Sequence, residues 1–283
     1  MNKLTIQAVL IVKDEEKILE KCLESIKDFD LPPVVVDTGS TDNTIEIAKK
    51  YTDKIYHFKW VNDFSKARNY AKEKCTGDWI LSIDADHQLL TPISEVKKVI
   101  EKTKSRVLNI KSIMGQSWHY RPVLFKNDPD IFWVGKVHEN LNLKAEEDTN
   151  IERNCDYSEN HLKDPERNLR ILLTMEKTPR TLFYLGKEYL DLKQYDQAVQ
   201  SFDEYLKVST WLDEKAEAYF YKAKALWQLN QGTKAREAVF EAIKLNPDMK
   251  KALLFCSEMH YEPWKSKWAN LACQATNKDV IFK

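Results

Sequence analysis

Up to about residue 85, short apolar runs alternate with stretches in which apolar residues recur at helical spacing. Gln7-Ala8-Val9-Leu10-Ile11-Val12 is the first run, and Glu15 to Lys27 follows with Ile18, Leu19, Cys22, Leu23 and Ile26 on one face. Val34-Val35-Val36 predicts a second strand, closing on Asp37, and Asp42 stands at the N-cap of a helix that carries Ile45, Ile47 and Ala48. A strand over 54–58, a helix over 65–75 and the strand Trp79-Ile80-Leu81-Ser82-Ile83 complete the series. Continuous β-branched runs separated by helices predict a mostly parallel sheet covered on both faces.

Beyond about residue 160 only helical periodicity remains, and it repeats. Leu182, Leu185, Gly186, Tyr189, Ala198 and Phe202 fall where a tetratricopeptide repeat places W, L, G, Y, A and F. Ala216, Tyr219, Ala223, Leu226, Ala235, Val239, Ala242 and Pro247 fit the same template 37 residues on, so 210–215 is expected to lengthen the turn between repeats. A third unit starts near Leu253, with Ser257 and His260, and Tyr261-Glu262-Pro263-Trp264 separates its two helices. The pattern predicts domains at 1–160 and 161–283, the second holding about two and a half repeats.

Composition narrows the choice. Six glycines in 283 residues, about a third of the usual share, are too few for the turns of an all-β fold. Forty-four basic residues balance 44 acidic ones, so no overall field draws the chain to nucleic acid or an anionic membrane. Five scattered cysteines form no C-x-x-C pair, which argues for buried thiols in a reducing compartment. The acidic Asp14-Glu15-Glu16 arrives too early for a signal peptide, and no window approaches the ~20 apolar residues of a membrane span. The expectation is a soluble cytoplasmic protein.

Three clusters sit at the ends of the expected strands, where open α/β sheets bind ligands. Asp37-Thr38-Gly39-Ser40-Thr41-Asp42 places a carboxylate where it can meet a base or ribose, although a plain strand-to-helix turn has the same residues. Asp84-Ala85-Asp86 ends a buried strand with two carboxylates at i and i+2, able to address one cation. Arg121-Pro122-Val123-Leu124-Phe125 and then Gly135-Lys136-Val137-His138-Glu139 supply a cation, a glycine and a histidine beside a carboxylate.

Together with Ile11-Val12-Lys13-Asp14-Glu15-Glu16, Asp63-Phe64-Ser65-Lys66-Ala67-Arg68-Asn69 and Gly77-Asp78-Trp79, these motifs resemble family 2 glycosyltransferases of the GT-A fold. That fold is a Rossmann-like, mostly parallel nucleotide-diphospho-sugar transferase sheet. The branch the chain is most similar to holds lipopolysaccharide-core glucosyltransferases and peptide glycosyltransferases with tetratricopeptide repeats. The motifs run from residue 6 to 140 in the family's order. The resemblance implies an inverting, metal-dependent hexosyltransferase using a UDP-sugar. It gives Val12, Asp37, Arg68, Asp84 and Arg121 to the donor, Asp86 to Mn²⁺ or Mg²⁺, and Glu139 to the general base. His161 would add to the metal, with His138 second. His87 follows Asp86 where many relatives have glutamate, and could itself reach the ion; Lys13-Asp14 replaces the commoner Lys-Asn.

The repeats then imply a macromolecular acceptor, a peptide or protein side chain first and a saccharide next. A modified base of viral DNA is a further option, with Lys250, Lys251, Lys265, Lys267, Lys278 and Lys283 as a basic edge and Trp264 and Trp268 either stacking on bases or packing the repeats. A repeat scaffold with a degenerate transferase domain is the alternative of another class.

Overall fold

A computed structural model describes residues 4–115, 117–156, 164–260 and 263–275. The chain divides into a unit that ends at Asp164 and a second that starts at Pro165.

The first unit opens with β1 (Ile6–Val12), α1 (Leu19–Ser25), β2 (Val34–Asp37), α2 (Thr44–Ala48), β3 (Ile55–His57), α3 (Phe64–Glu73) and β4 (Trp79–Ser82). It continues with β5 (His87–Leu89), α4 (Ile93–Lys102), β6 (Val107–Met114), β7 (Ser117–Lys126), β8 (Trp133–Val134), β9 (Asn140–Leu141) and β10 (Glu147–Cys155). Among the described residues the main sheet runs β3-β2-β1-β4-β7-β6-β10-β5. β3, β2, β1 and β4 are mutually parallel, as continuous apolar runs require when both faces are covered. β7 reverses the direction against β4 and β6, while β6 and β10 are parallel. The core joins Ile6, Leu10, Val34, Val36, Trp79 and Ile80 of the strands to Leu19, Leu23 and Ala71 of the helices.

The helix expected over 15–27 is shorter. Asp14 adopts φ +54°, and the amides after it leave the helical path for side chains of the next loop. Glu15 N–H donates to Thr44 Oγ1 (2.7 Å) and Glu16 N–H to Asp42 Oδ2 (3.2 Å), so α1 starts only at Leu19. Asp42 lies one residue before the N-cap, Asn43, and accepts from Thr44 N–H across a local turn. Gly115, which the sequence pattern leaves without a task, takes φ +56° between β6 and β7, a hairpin absent from the sequence expectation.

The second unit is helical: α5 (Arg167–Leu173), α6 (Pro179–Asp191), α7 (Tyr195–Val208), α8 (Leu212–Gln228), α9 (Gly232–Leu245), α10 (Lys250–Glu258) and α11 (Trp264–Gln274). α6 with α7 and α8 with α9 are the two repeats read from sequence. The extra residues between them do not lengthen the turn. They extend α8 to 17 residues, because Tyr205 Oη donates to the buried Glu214 carboxylate (2.7 Å) and draws that first turn onto α7. Ala216, Ala223, Leu226, Ala235, Val239 and Ala242 form the core of the second repeat. Trp268 packs on Phe240, whereas Trp264 is exposed beneath Lys267. Lys251 pairs with the buried Glu217 at 2.7 Å. Among the described residues no helix is long and apolar enough to cross a membrane.

Candidate active site

The C-terminal ends of β1, β2 and β3 align Val12, Asp37 and His57 in register. Asp37 is 5% exposed, and its carboxylate accepts from Gly39 N–H (3.2 Å) and Ser40 N–H (2.9 Å). His57 Nδ1 lies 3.2 Å from Asp37 Oδ2 on an exposed ring. The Val12 carbonyl accepts from Thr38 N–H and Oγ1, which holds the first two strand ends together.

The motif around Arg68 explains itself through α3. Asp63 caps the helix by accepting from Lys66 N–H (3.0 Å) and Ser65 Oγ (2.7 Å). Phe64 N–H donates to Lys136 O (2.8 Å), and Asn69 exchanges hydrogen bonds with both backbone groups of Trp133. One helix therefore grips the loop that carries Glu139 and presents Arg68 beside it. His138, just before Glu139, takes φ +52°. Arg68 Nε donates to Glu139 Oε1 (2.6 Å), Nη2 to Asp84 Oδ1 (2.7 Å) and Nη1 to Ser82 Oγ (3.2 Å), with the guanidinium 5.1 Å over the Trp133 ring. The bridge joins two of the three sequence clusters.

Asp84 follows β4, and the turn to β5 closes with His87 N–H donating to Asp84 O. Ligand atoms of Asp84, Asp86 and His87 lie within 4.8 Å of one another. Burial works against ionisation of Asp84, but the Arg68 guanidinium outweighs it and holds this carboxyl well below the usual range. Asp86 goes the other way: burial, then repulsion from Asp84 and Glu15, pushes it up to about 7. His87 is brought down to about 3, by burial and then by Arg153, and its buried Nδ1 has no hydrogen-bond partner.

The histidine gathered to the carboxylates is His87. His138 is not a member of that cluster among the described residues, and His161 lies outside them. Arg121 on β7 is exposed, with its charge felt at His87 and His119. Arg153, absent from the sequence expectations, is buried at 3% exposure beside Asp84. β10 is a mostly polar strand without a clear sequence signal, and a lone arginine in it does not show which face it takes.

The model of glycosyl transferase family 2 matches residues 8–153, more than half of the chain. The chain belongs to that family. A tetratricopeptide-repeat model matches residues 179–209. This family 2 chain is 32% identical over 232 residues to the glycosyltransferase SunS of Bacillus phage SPbeta and to its prophage-derived counterpart in Bacillus subtilis, covering 72% of this chain and 53% of each relative. A TPR repeat-containing protein of Synechococcus elongatus is 39% identical over 135 residues, covering 46% of this chain and 34% of that one. The chain thus spans about half or less of these relatives' length. The crystal structure of S. aureus TarS is similar with a TM-score of 0.49 at 15% identity, over 87% of this chain and 55% of that chain.

Proposed function

We propose that this family 2 chain is an inverting, metal-dependent glycosyltransferase that moves a hexose from a UDP-sugar to a macromolecular acceptor. The observation that carries the reading is the constellation at the end of β4, where Arg68 ties Asp84 to Glu139 while Asp86 and His87 stand beside them. Three convergent ligand atoms, a carboxyl crowded up to about 7 and a neutral imidazole with an unpartnered Nδ1 fit a divalent cation. Asp86 would hold Mn²⁺ or Mg²⁺, with Asp84 and His87 around it. When bound, the ion supplies neutralisation of the charge that builds on the leaving diphosphate.

The protein's own groups do the rest. Asp37 and the Val12 strand end address the base or ribose. Arg68 fixes the direction of both carboxylates, and Arg121 offers an exposed cation toward the phosphates. In the transfer the C1–O bond to the diphosphate breaks as the acceptor nucleophile bonds to C1 from the opposite face, which inverts the anomeric centre. Glu139 takes the acceptor's proton, held through Oε1 on a side chain only 11% exposed. The repeats offer a stacked-helix surface for the acceptor, a peptide or protein side chain first and a saccharide next.

Calorimetric titration of UDP tests the donor site. Wild type is expected to bind UDP in Mn²⁺ and at least about tenfold more weakly in EDTA, with Asp86→Ala showing no metal dependence. Equal binding under all conditions, or none, would remove the reading.

A further inference from the structure

We infer that Arg153 holds down the cation affinity of the Asp84–Asp86 pair, so that the ion is held firmly only together with the donor's diphosphate. The inference rests on the donor site proposed above. Arg153 lies on β10, opposite Ser112 of β6 and Leu89 of β5, two residues before Cys155, which faces His87 across the strands. Its Nε donates to Ser112 Oγ at 2.8 Å, and its Nη1 is buried with no partner.

Its neighbour Arg68 shows what an ordinary buried guanidinium does: it hydrogen-bonds two carboxylates directly. Arg153 makes no ion pair within 4.0 Å among the described residues, although it is 3% exposed. A buried charge without a direct partner is costly to keep, so it argues for a role other than stability. That role is its field, which reaches Asp84, Asp86 and His87 from the sheet.

The local balance then explains the coupling. Arg68 is shared between Asp84 and Glu139, and Arg153 offsets the remaining negative charge of the pair. A dication arriving alone meets carboxylates already countered by two buried cations. A diphosphate arriving alone meets three carboxylates, Asp84, Asp86 and Glu139, against two guanidinium charges. Arriving together, the ion and the diphosphate cancel each other's excess, so each strengthens the other by the same factor.

The test is Mn²⁺ titration of the full chain by calorimetry, with and without saturating UDP. In wild type, UDP is expected to tighten Mn²⁺ by at least about tenfold. Arg153→Gln is expected to bind Mn²⁺ alone roughly tenfold more tightly than wild type, with the gain from UDP, which comes from the ion and the diphosphate themselves, unchanged. Arg153→Lys, which keeps the charge, should behave as wild type. Ser112→Ala, which frees the guanidinium from its anchor, should fall between, and it serves if Arg153→Gln does not fold. The inference is overturned if the uncharged variant binds Mn²⁺ alone no more tightly than wild type, or if wild type binds no Mn²⁺ at all. Wild type that binds Mn²⁺ but never UDP would instead defeat the donor reading, and the Mn²⁺-alone comparison would still decide the role of Arg153.

Discussion

Asp86 departs strongly from ordinary aspartate chemistry, and the cause is local. Its side chain is 18% exposed and faces Asp84, which Arg68 keeps ionised. An unfolded aspartate titrates near ~3.9, whereas in the folded chain Asp86 holds its proton up to about 7. Between those values the folded state binds a proton that the unfolded state has released. The resulting stabilisation is complete below pH ~4 and is lost as pH rises through about 7. Metal-free Asp86→Asn, which cannot ionise, is expected to be more stable than wild type at pH 8 by about 1 kcal/mol or more, a few degrees in Tm. The difference should vanish near pH ~4. Thermal denaturation in EDTA across pH checks this, and parallel curves for the two proteins would contradict it. The pairing of Asp84 with Asp86 was legible from i, i+2 spacing at a strand end. The company of Arg153 and Glu15 was not, because those residues come from other elements, joined only by the sheet and its loops, whereas His87 follows Asp86 in sequence.

At the scale of elements, what the sequence made legible is what a periodic pattern encodes. β1 to β4 and the helices between them follow the apolar runs, and so do the repeat helices. Other features escaped for identifiable reasons. The start of α1 is set by side chains of the β2–α2 loop that capture its would-be first amides, a long-range contact no local window contains. The β6–β7 hairpin and β10 mix exposed and buried positions, and the return of β5 to the far edge of the sheet is a topological fact without local signal. Gly186 is the opposite case, since the template predicts a close helix crossing there. A Cβ at this position would meet Phe202 ring atoms at 2.6 to 2.8 Å. That ring is fully buried against Phe183 and Tyr221 and has nowhere to go. Gly186→Ala gains helix propensity of about 1 kcal/mol but overpacks the crossing at a cost of about 1–3 kcal/mol. The expected net result is a lower thermal midpoint followed by circular dichroism at 222 nm; a raised midpoint would show that the crossing can open without penalty.

For the whole molecule, charge neutrality conceals a strongly patterned interior. The end of β4 in the first unit concentrates Asp84, Asp86 and Glu139 against Arg68 and Arg153, and net charge reports none of it. The family match and the repeat match account for the two textures of the sequence. The proposed division of labour follows: transfer chemistry in the family 2 unit, acceptor positioning by the repeats. In that division the carboxylates after β4 and the glutamate held by Arg68 are proposed to act on a UDP-sugar. The direct measurement is UDP release from UDP-sugars in Mn²⁺ by wild type, Asp86→Ala and Glu139→Gln. Turnover by wild type is expected to stop on chelation and return with Mn²⁺. A loss of at least about a hundredfold is expected in both variants, with Glu139→Gln still binding UDP. Turnover that is indifferent to chelation and to Asp86→Ala, or absent in wild type across the common UDP-sugars, would contradict it.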